Sequence, residues 1–126
     1  MLYEDLTDKI IHCYYEVYNT LGYRFLEKVY ENAMMIKLQS IGLKCIQQPQ
    51  IDVYFEGHIV GDYNADILVE GKVIWEIKAG NSDQIQAHEY QLINYLKATV
   101  MEVGLLLFFG KQTCVKRKVF THNLNT

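Results

Sequence analysis

Proline is almost missing from this chain. It occurs once in 126 residues, which leaves no room for rigid proline-rich linkers and suits one compact fold. Cysteine is scarce and odd in number. Cys13, Cys45 and Cys114 are far apart, with no C-x-x-C pair. Neither a disulfide frame nor a zinc site is expected, and the thiols read as reduced groups of a cytoplasmic protein. A net charge of -3 denies the chain the basic footprint of a strong nonspecific nucleic-acid binder, although a site carrying its own acids can still serve such a substrate. No apolar run is long enough for a bilayer and no start resembles a signal peptide, so no membrane partner is expected.

What is present is ordinary for a globular protein, at 50% hydrophobic and 21% charged residues, and the length suits a single domain over residues 1–126. Ten tyrosines are the exception; they supply amphipathic surface that can stack on bases or simply pack. Lys111, Lys116, Arg117 and Lys118 form the one local basic run, read first as a solvated face and second as a phosphate contact.

Leu6, Ile10, Tyr14, Val17 and Leu21 fall at helical spacing, which predicts a helix over roughly 5–21 that Gly22 ends. A second helix carries Leu26, Val29, Tyr30, Ala33, Met34, Ile36 and Leu38 and stops near Ile41-Gly42. The texture then changes to extended runs over 43–55, from His58 to Val69, and from Lys72 to Lys78, broken at Glu56-Gly57 and Glu70-Gly71. They read as an antiparallel three-stranded meander. Ser82 or Asp83 is placed to cap a helix reaching Ala98; Val103 to Phe109 reads as a strand buried on both faces, and a last strand covers roughly 114–120 before a frayed end. The expected order is α-α-β-β-β-α-β-β, an α/β fold.

Asp66 precedes Glu76-Ile77-Lys78 across the second hairpin. Two acids and a lysine brought together this way are the smallest kit that holds a divalent metal beside a phosphodiester, the lysine steadying the attacking water and the charge on phosphate. E-x-K alone is weak evidence, and a solvent-facing strand edge competes with it. However, acids that interrupt apolar strands are costly unless solvated, paired or metal-bound. Strand parity sets a condition. A two-residue loop at Glu70-Gly71 would put Asp66 opposite Trp75, on the face away from Glu76. A three-residue loop, Val69-Glu70-Gly71 with Gly71 left-handed, pairs Asp66 with Ile74. Asp66, Glu76 and Lys78 then share a face, over an apolar back of Ala65, Ile67, Trp75 and Ile77.

Two helices supply neighbours. His88, Gln91 and Tyr95 make a polar stripe on the third helix, with Gln91 and Tyr95 as Q-x-x-x-Y. Glu27, Tyr30 and Glu31 share a face of the second. For Glu27 a site acid and a solvated surface stand equal; Glu31 is expected on a solvated acidic face. His12, one turn from Glu16, reads as helix surface.

Together these motifs resemble the PD-(D/E)XK nuclease superfamily, particularly its RecB-like branch. GYRFLEKVYEN from Gly22 to Asn32, the GDYNAD stretch ending at Asp66 and HEYQLINYLKA from His88 look like its small bacterial GxxExxY group. The resemblance covers about Leu6 to Phe120 and implies an α-β-β-β-α-β core with a mixed central sheet flanked by helices. It implies that Asp66 and Glu76 hold Mg2+ or Mn2+ with the Ile77 carbonyl, that Lys78 serves the attacking water, and that Glu27 is a further ligand. Gln91 would act beside Lys78, and Tyr95, His88 and Tyr30 would bind substrate. Arg24 stands where the group has a glycine, so the loop before Glu27 is expected to differ locally, and Ala65 replaces the proline of the motif.

The expected function is Mg2+-dependent hydrolysis of DNA, or of RNA. The first rival is a noncatalytic nucleic-acid-binding or protein-interaction module on the same fold. The second is an enzyme acting on a small phosphorylated substrate. The first helix, outside the shared core, is a candidate homodimer surface.

Overall fold

The computed structural model describes residues 2–122; the end expected to fray lies outside them. Helix α1 spans Glu4–Leu21 and α2 spans Glu27–Ser40. Gly22 closes α1 with its N–H on the Tyr18 carbonyl. Five strands follow: β1 (Cys45–Gln47), β2 (Gln50–Phe55), β3 (His58–Asn64), β4 (Ile67–Val69) and β5 (Val73–Ala79). A 3-10 turn, Ser82–Gln84, leads into α3 (Ile85–Ala98), and β6 (Val103–Phe109) and β7 (Thr113–Val119) complete the fold. The cap of the turn is Asn81, whose side-chain oxygen accepts from the Asp83 N–H at 2.7 Å, in place of the expected Ser82 or Asp83.

The central sheet has the order β1-β4-β5-β6-β7, mixed because β5 and β6 run parallel while the other pairs are antiparallel. β2 and β3 form a separate two-stranded sheet. The expected meander is therefore corrected. Its first run breaks at Gln48-Pro49 and its second at Ala65-Asp66, so the later part of the first and the earlier part of the second leave the central sheet. Proline cannot donate to a ladder, which favours a break at that point.

Strand alternation sorts the side chains between two cores. Ile67, Val69, Trp75, Ile77, Leu105, Leu107 and Phe109 pack with Ile10, Tyr14, Tyr30, Met34 and Leu38 of α1 and α2. Ile74 and Leu106 face the other way, onto Leu92 and Leu96 of α3 with Ile51 and Tyr63 of the small sheet. Every residue of β6 is buried, as expected of an apolar strand between β5 and β7. Gly104 is required there: a Cβ on it would lie 2.8 Å from Leu92 Cδ1. Ala65 belongs to the α3 core, not to the apolar back with Ile67, because the chain bends out of the sheet before β4 begins.

Helix α1 is built into this fold. The Tyr14 hydroxyl donates to the Phe108 carbonyl and accepts from the Cys114 N–H, and Tyr18 donates to the Gly110 carbonyl at 2.7 Å. Tyr14 and Tyr18 are thus spent on the sheet, while Tyr15 stays exposed. No helix among the described residues is long and apolar enough to cross a membrane.

Candidate active site

The β4–β5 hairpin sets the site. Ile67 pairs with Trp75, Leu68 with Ile74 and Val69 with Val73, so the loop is Glu70-Gly71-Lys72. Glu70 and Gly71 both take positive φ, 55° and 67°, and the Lys72 N–H donates to the Val69 carbonyl at 3.0 Å, in the manner of a type I′ turn. The loop has three residues but lies one position later than expected. Asp66 lies one residue beyond this ladder, with its N–H donating to the Trp75 carbonyl at 3.2 Å, and so is not paired with Ile74, which faces Leu68. The two registers differ by a shift of two along the partner strand, and side chains repeat every two, so Asp66, Glu76 and Lys78 still share a face.

Asp66 is half-buried between β3 and β4. Its Oδ2 accepts from the Ile77 N–H at 2.6 Å and its Oδ1 from the Gln48 side-chain amide at 3.3 Å. Burial raises its pKa; the Ile77 hydrogen bond opposes this and the charge of Glu31 adds to it. Glu76 accepts a hydrogen bond from the Tyr63 hydroxyl. Burial, then the Asp66 charge, pushes Glu76 up to about 8 from 4.5, against the pull of the Tyr63 bond and Lys78. The same burial and the Glu76 charge raise Tyr63 well above the usual phenol range. Two carboxyl groups so placed resist ionising together, and a bound cation would relieve both.

A cavity of ≈ 330 Å³ brings Asp66, Glu76, Lys78, His88, Gln91 and Tyr95 together from the β3–β4 connection, β5 and α3. Burial, then the Lys78 charge, keeps the His88 pKa low, which favours a neutral imidazole. The Tyr95 ring stacks on Tyr63, centroids 3.8 Å apart and planes 9° from parallel. A larger cavity of ≈ 780 Å³ between α3 and β7 contains neither Asp66 nor Glu76. Beside it, Glu89 pairs with Lys118 at 2.7 Å and Lys116 at 3.9 Å, so part of the basic run is neutralised within the fold.

Glu27 does not line the acid cavity. It is exposed, and its Oε2 accepts from the Ala79 N–H at 3.1 Å, tying α2 to the residue after Lys78. Tyr30 is withdrawn from substrate binding. It is fully buried, its ring stacks on Phe109 at 4.0 Å, and its hydroxyl donates to the Gly22 carbonyl at 2.8 Å. Glu31 is also corrected. It is 4% exposed and accepts from Lys28, Gln47 and Gln48, because β1 and the segment after it lie against that face of α2. Arg24 keeps φ 88°, the positive-φ conformation a glycine enters without strain, so the backbone at this position stays glycine-like. His12 lies on the helix surface, 2.8 Å from Glu16.

Tyr63 and Gln48 touch the acids and were not foreseen. Tyr63 reaches Glu76 only because the β2–β3 hairpin folds back over β5. Its one local signal was its place in GDYNAD, three residues before Asp66.

Among the described residues no three His, Cys, Asp or Glu side chains converge on one point. Two half-buried carboxylates lining one cavity nevertheless fit Mg2+, which binds through one or two carboxylates and keeps several waters. A mixed sheet between α1–α2 and α3, with paired acids and a lysine on one strand face, defines an α/β protein of the nuclease-like class. The family model for the PD-(D/E)XK nuclease superfamily matches residues 4–119, and the chain belongs to that superfamily. No curated protein and no solved structure matched the chain.

Proposed function

We propose that this protein is a Mg2+- or Mn2+-dependent nuclease that hydrolyses phosphodiester bonds of DNA, as a single cytoplasmic domain of the small bacterial GxxExxY group. The observation that carries the reading is the placement of Asp66, Glu76 and Lys78 in one cavity, with both acids raised in pKa by burial. Asp66, Glu76 and the Ile77 carbonyl would hold the cation. When bound, it supplies Lewis-acid polarisation of the phosphate and acidifies water.

The protein's own groups do the rest. The Lys78 ammonium orients the attacking water and offsets charge building on the phosphoryl oxygens. His88, neutral because burial and Lys78 hold its pKa down, and Gln91 offer hydrogen bonds at the cavity wall without adding to the charge near Lys78. Tyr95, stacked on Tyr63, supports Tyr63 against Glu76. Glu27, through the Ala79 N–H, fixes the end of β5 that carries Lys78.

The test is a panel of single-stranded, duplex and branched DNA with RNA, incubated with Mg2+ or Mn2+. Lys78→Ala should abolish cleavage, with a loss of at least about a hundredfold, while circular dichroism stays unchanged. Cleavage that persists in Lys78→Ala, or none on any substrate despite bound Mn2+, refutes the reading.

A further inference from the structure

We propose that Gln48 is a positioning residue for Asp66, linking a buried acid on α2 to the carboxylate that holds the cation. The proposal rests on the reading of Asp66 as a cation ligand. Gln48 lies in the short gap between β1 and β2 and grips Asp66 twice. Its backbone N–H donates to the Asp66 carbonyl at 2.8 Å, and its side-chain amide donates to Asp66 Oδ1 at 3.3 Å.

The same amide nitrogen donates to Glu31 Oε1 at 2.8 Å. An exposed glutamine would otherwise sample many rotamers, but Glu31 is anchored. It is buried and also accepts from Lys28 Nζ at 2.8 Å and from Gln47. With Ile77 holding Oδ2, both oxygens of Asp66 are bonded and the plane of its carboxylate is set. Partners that orient a ligating carboxylate contribute to metal affinity, because a freely turning ligand must be ordered on binding.

The backbone of Gln48 points the same way. Its φ is 53°, the left-handed region that costs a side chain strain and a glycine none. A glycine would relax the chain here but would lose the one amide that reaches both acids.

Calorimetric titration with Mn2+, with a thermal melt of each protein, tests this on wild type, Gln48→Gly and Asp66→Ala. Gln48→Gly is expected to melt near the wild-type temperature, relief of the left-handed backbone offsetting the lost hydrogen bonds, and to bind Mn2+ roughly tenfold more weakly, or worse. If it does not fold, Gln48→Asn takes its place; asparagine tolerates the left-handed backbone, and its amide is one methylene too short to span both acids. Asp66→Ala should lose Mn2+ binding altogether. Wild-type Mn2+ affinity in the Gln48 variant, whatever its melting temperature, overturns the positioning role while Asp66→Ala upholds the ligand. Wild-type affinity in Asp66→Ala overturns both.

Discussion

Replacing Glu76 by glutamine should stabilise the metal-free protein, and increasingly so as pH rises. In the folded chain burial and the Asp66 charge push Glu76 up to about 8, against an ordinary 4.5. The unfolded chain ionises it at the ordinary value. Between the two the folded protein keeps a proton that the unfolded chain has released. Relative stability from this group is therefore full below the unfolded value and is lost as pH climbs through the folded one. Linkage across that window gives a loss of roughly 2–3 kcal/mol from about pH 6 to about pH 9. For a domain of this length the melting temperature would fall by roughly 8–10 °C over the same range. Glutamine has no proton to release, nearly the same volume, and an oxygen that still accepts from the Tyr63 hydroxyl. Thermal melts in a chelating buffer across the range should show a steep wild-type line and a flatter one for Glu76→Gln. Some slope survives in the variant because Asp66 is shifted in the same direction. Parallel lines would refute the account of two buried acids in conflict.

Two further predictions concern packing. Tyr30→Phe removes the hydrogen bonds to the Gly22 carbonyl and from the Phe25 N–H and should cost about 1–2 kcal/mol in urea unfolding. Cleavage in the folded protein should be unchanged, and a selective loss of cleavage would return Tyr30 to substrate binding. Gly104→Ala places a methyl against Leu92 and should cost about 1–3 kcal/mol by overpacking. Leu92→Ala in the same chain should recover part of that loss, and a neutral single variant would mean that the close approach is not tight.

Much of the site was legible because strand parity is local. A repeat of two places Glu76 and Lys78 on one face whatever surrounds them, and any loop of odd length brings Asp66 to that face. The absolute register was not legible, since the loop moved by one residue and the ladder ends at Ile67 and Trp75, leaving Asp66 just outside it. The helical stripe of His88, Gln91 and Tyr95 reached the cavity as its spacing predicted. The face of α2 did not follow suit. Period alone cannot tell which of Glu27, Tyr30 and Glu31 meets solvent, the core or the next strand.

The sequence by itself therefore determined the elements that depend on near neighbours: three helices, the fully buried β6, the turn at Gly71 and the shared face of two acids and a lysine. Tertiary structure alone decided that the long strands break, that β2–β3 leaves the sheet and that Tyr63 bonds Glu76. It also decided that Tyr30 and Glu31 are buried and that Gln48 joins Glu31 to Asp66. Each of these depends on which distant segment covers a given face, and burial, pKa and hydrogen-bond partners follow from that cover rather than from spacing along the chain.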